Sequence, residues 1–275
     1  MELDTISTMS ETKLKKQKKW PDWKTPSNEE EILFARILLP YIKIISPDIV
    51  KIIVDDNNRN LSEWSVQFKK LGINPEIYLW KDSPVAFPGI RRHSGTKEIS
   101  SFGINPKTAK GGNCLLLDDN SFPKEIWSYV LRGTKYNRTN PNNYSLAHIV
   151  DHKDYKSRNN YELKGFNKSD EKNLFAGLYT SCVNTIWIPN TLLKPTDHTS
   201  NLRKLLIQIV EKYYEKVCVR LPHNLQFNLD NINEEWDINN FPEPTIVGNI
   251  DGVMDFIEYR HKKINELIVS ANSYS

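Results

Sequence analysis

Two of the six histidines of this chain, His148 and His152, fall within five residues of one another, with Asp151 between them. Ser145–Val150 alternates loosely in polarity and predicts a strand that carries His148 near its end. Asn184 stands directly before the apolar run Thr185–Ile188, a second predicted strand. Pro189 suits the first turn of a helix, and Asn190–Lys194 supplies a short one. The order is strand, loop, strand, helix. That order suits metal-assisted phosphodiester hydrolysis, which needs a base for water, a cation on the phosphate oxygens and a rigid hairpin to hold them together. A neutral imidazole is a suitable base near pH 7. An Asp or Asn oxygen on the helix suits a hard cation such as Mg²⁺. An asparagine at the start of the second strand can hydrogen-bond across the loop and hold the base.

The stretches LAHIVDHK and GLYTSCVNTIWIPNTLLKPTD carry a resemblance to the HNH, or ββα-metal, nuclease superfamily, and within it to the restriction endonuclease branch. The resemblance covers about 55 of the 275 residues. It implies that His148 is the general base, that Asn184 is the central asparagine supporting the loop, and that Asn190 is a metal ligand on the helix. Ala147 stands where many members place an aspartate before the base histidine. A shifted register makes Asp151 the ligand and His152 the base. Another takes Asn173 as the central asparagine. The structural zinc cysteines of some members are absent. The resemblance further implies a divalent metal, Mg²⁺ or Mn²⁺, a double-stranded DNA substrate, a homodimer for a palindromic target, and a cognate DNA methyltransferase as the companion of a restriction enzyme. Lys153, Lys156 and Arg158 would then lie along the DNA backbone and position it without reading sequence.

Three rivals come from other patterns. Asp151, Glu162 and Lys164 form Asp-x₁₀-Glu-x-Lys, which resembles the PD-(D/E)xK nuclease core, although Tyr161–Gly165 has polar flanks where an apolar strand is expected. A non-catalytic DNA-binding protein would use the hairpin only as a fold element. A small-molecule hydrolase would use His148, Asp151 and His152 as a metal site. No Gly-rich phosphate loop, nucleophile elbow or His-Glu-x-x-His helix supports the last.

The elements that must position these residues follow from pattern and composition. At 275 residues and roughly 150 per domain, about two compact units are expected. Hydrophobic residues make up 39% and charged residues 26%, enough for a core and against general disorder. The balance of 37 basic and 34 acidic side chains leaves +3, too little to argue for nucleic acid by itself. The mean hydropathy of −0.56 and the lack of a long apolar run argue against a membrane span. No secretory signal is apparent, and Cys114, Cys182 and Cys218 lie far apart. Together these point to a reducing, cytoplasmic setting without a disulfide frame.

Along the chain, residues 1–26 read as a basic arm with Lys13, Lys15, Lys16, Lys18 and Lys19 before Trp20 and Trp23. Residues 27–135 read as an N-terminal DNA-recognition region. Ser27 and Glu30 predict a capping box, with Ile32, Leu33, Ile37, Leu38 and Tyr41 on one helical face. Ile49–Val54 reads as a strand or short helix ended by Asp55–Asn58, and Asn60–Leu71 as a helix closed by Gly72. Ile77–Trp80 and Cys114–Leu117 read as strands, and Pro123–Arg132 as a helix with Trp127 and Leu131 inward. Arg91 and Arg92 lie in a Gly/Pro-rich loop and suit guanine edges or phosphates. Residues 140–200 are the catalytic core. Residues 201–275 are a helical region for packing or dimerisation, with helices over 201–219 and 251–271. The expected class is α+β: a ββα-metal core embedded in a largely helical chain, with an α/β or helical recognition region before it.

Overall fold

The computed structural model describes residues 24–92, 114–137, 143–150, 163–164, 176–192, 201–222 and 225–273. The basic arm up to residue 23 and residues 138–142 lie outside them. The chain is a mixed α+β fold, and all the statements below concern the described residues.

Helix α1 (Asn28–Leu38) starts as its capping box requires: the Ser27 hydroxyl accepts from the Glu30 N–H, and the Glu30 carboxylate accepts from the Ser27 N–H. Its inward face is Ile32, Ala35 and Leu38, whereas Leu33, Ile37 and Tyr41 are exposed. The apolar stripe is wider than the face that the core covers. Strand β1 (Lys43–Ile45) follows. Helix α2 then runs unbroken from Pro47 to Lys70, straight through Asp55–Asn58. The expected break there is absent because Asp56 and Asn57 point inward, and both meet partners from the far end of the chain. Gly72 closes α2 in the left-handed region (φ 74°). Pro75–Tyr78 is a single helical turn, α3, where a strand was expected.

Strands β2 (Ile90–Arg92) and β3 (Leu116–Asp118) pair in parallel. Helix α4 (Ser121–Arg132) buries Trp127 but leaves Leu131 exposed. Strand β4 (Tyr144–His148), the two-residue β5 (Leu163–Lys164) and β6 (Thr185–Pro189) come next, and Asn190–Leu192 is a 3₁₀ turn. Helix α5 (Asn201–Tyr214), β7 (Gln226–Phe227), β8 (Thr245–Val247) and helix α6 (Ile250–Asn272) complete the order. No helix is long and apolar enough to cross a membrane.

The main sheet has the order β4-β6-β1-β8. It is antiparallel except for the parallel pair β1/β8. Its strands come from all three of the intervals 27–135, 140–200 and 201–275, so these intervals share one sheet. Strand β6 is buried on both faces, through Ile186 and Ile188 on one and Trp187 on the other. Trp127 of α4 stacks on Trp187 (ring centroids 5.6 Å) and donates from Nε1 to the Thr185 hydroxyl at 3.0 Å. Tyr214 of α5 donates its hydroxyl to the Ile45 carbonyl at 2.6 Å. Helix α6 packs on α4 so closely that a Cβ on Gly252 would meet the Tyr129 carbonyl oxygen at 2.1 Å.

A buried charged group joins α2 to α6. The Asp56 Oδ2 atom accepts from Arg260 Nη2 and faces His261 Nε2, each at 2.8 Å. Arg260 is fully buried; it also donates to Asn57 Oδ1 at 2.6 Å and to the Ala86 carbonyl at 3.1 Å, and lies over the Trp64 ring. Burial pushes the Arg260 guanidinium down to about 10, against the pull of Asp56, so it stays charged at neutral pH. The Asn57 amide donates to the Ser83 and Val85 carbonyls. The group therefore grips the strap 83–86, which leads into β2.

Candidate active site

The strap hands its position on to the turn Ala176–Thr180. The Ala86 N–H donates to the Thr180 carbonyl at 2.9 Å, the Thr180 hydroxyl donates to the Phe87 carbonyl at 2.9 Å, and Cys182 N–H donates to the Pro84 carbonyl at 2.9 Å. The turn is pressed against α3. A Cβ on Gly177 would sit 2.9 Å from the Ile77 carbonyl oxygen, so only glycine fits there. Tyr179 is thereby fixed in the interior, with its ring stacked on the His148 imidazole at 5.7 Å.

His148 ends β4, half-buried, opposite Thr185 of β6. Its Nε2 lies 3.0 Å from the Tyr179 carbonyl. A carbonyl oxygen can only accept, so Nε2 carries the proton and the lone pair of the neutral ring is on Nδ1. The residues after His148 are held by Asn184. Its backbone carbonyl accepts from the Ile149 N–H (2.9 Å) and its Oδ1 from the Val150 N–H (2.8 Å), while its amide donates to the Val150 carbonyl (3.1 Å) and the Leu178 carbonyl (3.0 Å). One buried side chain thus ties the exit of β4 to the turn that holds the imidazole. The hairpin and the crossing asparagine are where the sequence places them.

Because Asn184 both accepts and donates, its replacements separate the two roles. Asn184→Ala should cost about 1 to 3 kcal/mol, the scale for buried backbone groups left without partners. Asn184→Asp, nearly the same shape, should cost at least as much. It keeps the Val150 N–H bond but turns a carboxylate oxygen on two carbonyls. Urea unfolding of both variants reads the order.

Two groups that sequence reasoning missed complete the site. The Tyr179 hydroxyl donates to Asp118 Oδ2 at 2.6 Å and accepts from the Asn120 N–H at 2.6 Å. Burial first, and the Asp118 charge second, hold the Tyr179 phenol far above its ordinary range, so it is a fixed donor and not an acid. No local motif marks either residue, since Tyr179 and Asp118 are 61 positions apart.

Arg91 and Arg92 are placed in strand β2, half-buried. Neighbours along a strand face opposite ways. The Arg91 charge lowers the Tyr78 phenol and the Arg92 charge the Tyr179 phenol, each against the larger effect of burial. Both arginines stand in a strand where a Gly/Pro-rich loop was expected.

Asn190 lies at the other end of the hairpin, beside Tyr144. The Ser145 hydroxyl donates to its Oδ1 at 2.5 Å, and its N–H donates to the Asn143 carbonyl at 2.7 Å. Tyr144 pairs with Pro189 while His148 pairs with Thr185, and four strand steps of about 3.4 Å separate these ends by roughly 14 Å. Asn190 is therefore out of reach of an ion at His148, which corrects its assignment as the helix ligand. Its interaction with Ser145 closes the open end of the hairpin.

Asp151, His152, Lys153, Lys156, Arg158, Glu162 and Asn173 lie outside the described residues. Among the described residues no group of three or more His, Cys, Asp or Glu side chains could hold a metal ion. Near Tyr179 the oxygen donor is Asp118, with Oδ2 engaged by Tyr179 and by the Phe122 N–H at 3.0 Å. Cys114, Cys182 and Cys218 are buried free thiols. Burial pushes both Cys182 and Cys218 up to about 12, which removes them as nucleophiles at neutral pH.

The site is thus a half-exposed imidazole with a fixed tautomer on a clamped hairpin, beside a buried Tyr–Asp pair and one guanidinium. In the neutral ring the basic nitrogen is Nδ1. Comparison with protein-family models, with curated proteins and with solved structures finds no match to this chain.

Proposed function

We propose that this chain is a metal-dependent, sequence-specific double-stranded DNA endonuclease of the HNH type, acting as a Type II restriction enzyme. The observation that carries the reading is the Asn184 clamp. An asparagine opening the second strand bonds the backbone two residues past a histidine that ends the first, as the ββα-metal arrangement requires. The Tyr179 carbonyl supports it further by leaving the basic nitrogen on the half-exposed imidazole.

In this mechanism His148 Nδ1 takes a proton from water, the resulting hydroxide attacks the scissile phosphorus in line, and the 3′ oxygen leaves. Asn184 keeps the loop, and with it the base, in register. A divalent cation, Mg²⁺ or Mn²⁺, supplies neutralisation of phosphate charge when bound. Asp151 and His152 are the residues that would hold it, since they follow the clamped Ile149–Val150 directly and offer an oxygen and a nitrogen donor. Lys153, Lys156 and Arg158, which follow in the sequence, are the residues that would position the DNA backbone. A palindromic target implies a homodimer, and self-protection implies a methyltransferase partner.

Digestion of bacteriophage DNA by the purified protein with Mg²⁺, Mn²⁺ or EDTA tests the reading. Discrete, metal-dependent bands are expected, and sequencing their ends gives the recognition site. A metal-dependent smear would remove the specificity, and intact DNA on both modified and unmodified templates would remove the hydrolysis.

A further inference from the structure

Arg92 carries its charge on strand β2 without an ion pair to any described residue. Its Nε is buried and has no hydrogen-bond partner among the described residues. A buried, unpartnered guanidinium nitrogen is costly to keep. The nearest acid in the fold is Asp118, its register partner across the parallel β2/β3 pair. Registered residues of neighbouring strands project from the same face, about 4.8 Å apart. Among the described residues Asp118 forms no ion pair with Arg92; its Oδ2 accepts from the Tyr179 hydroxyl and the Phe122 N–H. Tyr179 thus separates the acid from the base on one side. On its other side it carries His148, through the 3.0 Å contact of its carbonyl with Nε2 and through the stacked rings.

We infer that Arg92, and not Arg91, binds a backbone phosphate of the DNA beside His148, and that this phosphate is the one to be cleaved. The inference rests on the DNA-cleaving reading above and assigns its substrate anchor. A planar guanidinium matches two phosphate oxygens at once and stays charged when partly desolvated. Holding it on a strand linked to the base through Asp118 and Tyr179 positions the phosphorus for attack by the water that Nδ1 deprotonates. The Tyr179 hydroxyl and the Phe122 N–H hold Asp118 Oδ2. Arg91 faces the other side of β2 and has no part in this contact.

The test uses the full-length protein and its Arg92→Gln and Arg92→Lys variants, with melting curves to check folding. Duplex binding in EDTA is measured against salt. Loss of one phosphate contact should flatten the slope of log K on log[salt] by about 0.9 for Arg92→Gln. Arg92→Lys should keep that slope, yet lose about 10- to 100-fold in single-turnover cleavage, because the fork and its charged hydrogen bonds are gone. An unchanged slope for a folded Arg92→Gln overturns the inference while wild-type cleavage leaves the nuclease reading standing. Wild-type cleavage rates in Arg92→Lys also overturn it. A flattened slope in a protein that cuts nothing under any metal supports the phosphate contact and removes the hydrolytic reading. Absence of duplex binding by the wild type overturns both.

Discussion

His148→Ala should cut DNA at least ~10²-fold more slowly than the wild type, the scale for a lost general base, and should still bind the duplex. The loss of activity will not be a loss of fold. His148 is half-buried, and its Nε2 donates to the Tyr179 carbonyl at 3.0 Å. Removing one such bond costs about 0.5 to 1.5 kcal/mol, and the carbonyl lies where water can replace the imidazole. Melting curves of the variant should therefore stay close to the wild type while its single-turnover rate collapses. The companion variant His152→Ala decides the register. If His148→Ala cuts normally and His152→Ala does not, the base is His152 and the clamp holds a different imidazole. If both lose activity without losing DNA binding, base and metal ligand are shared between the two.

The largest effect on stability should come from Asp56→Ala, at about 3 to 5 kcal/mol, the usual result of removing one partner from a buried ion pair. Arg260 is fully buried and its Nη2 would lose the carboxylate at 2.8 Å, leaving an uncompensated charge between α2 and α6. A double variant, Asp56→Ala with Arg260→Met, should recover much of the loss, since removing both charges removes the penalty. Urea unfolding of the three proteins measures the coupling, and additive losses would show that the pair is not the source. The pH dependence has a definite sign. Burial alone would raise the Asp56 carboxyl, but Arg260, His261 and Arg59 together hold it below its ordinary value. A depressed carboxyl contributes stability above its unfolded pKa of about 3.9, and that contribution is lost as pH falls through the folded value. The gap between wild type and Asp56→Ala should therefore be full at neutral pH and should shrink below about pH 4.

The hairpin was legible because its signals are local: an alternating run that ends in a histidine, and a polar residue before an apolar one. The Ser27 cap and the Gly72 stop were legible for the same reason. The unbroken α2 was not. Four polar residues in a row normally end a helix, and only Arg260, about 200 positions away, makes Asp56 and Asn57 interior residues. Strands β1 and β8 have three residues each, too few for a period to show. Leu33, Ile37, Tyr41 and Leu131 kept helical spacing yet stayed exposed, because spacing defines a face and cannot say whether another element covers it. In the site, Asn184 was found by its position before a strand. Tyr179 and Asp118 were missed because neither stands in a motif. Asn190 was misassigned because an antiparallel hairpin returns its last residue to the start of the first strand.

The parallel pairing of β1 with β8 also orders the protein's assembly in time. Lys43 meets Thr245 in this ladder, so one border of the sheet is supplied by a segment made some two hundred residues later. During synthesis from the N-terminus, β1 must wait with its hydrogen-bonding edge open, and α2 must carry the Asp56 charge without Arg260. Contacts of such long range form slowly, and an open strand edge invites pairing with other chains. The nascent chain is thus most exposed to aggregation before β8 and α6 emerge, and the hairpin that holds His148 joins a finished sheet only when they arrive.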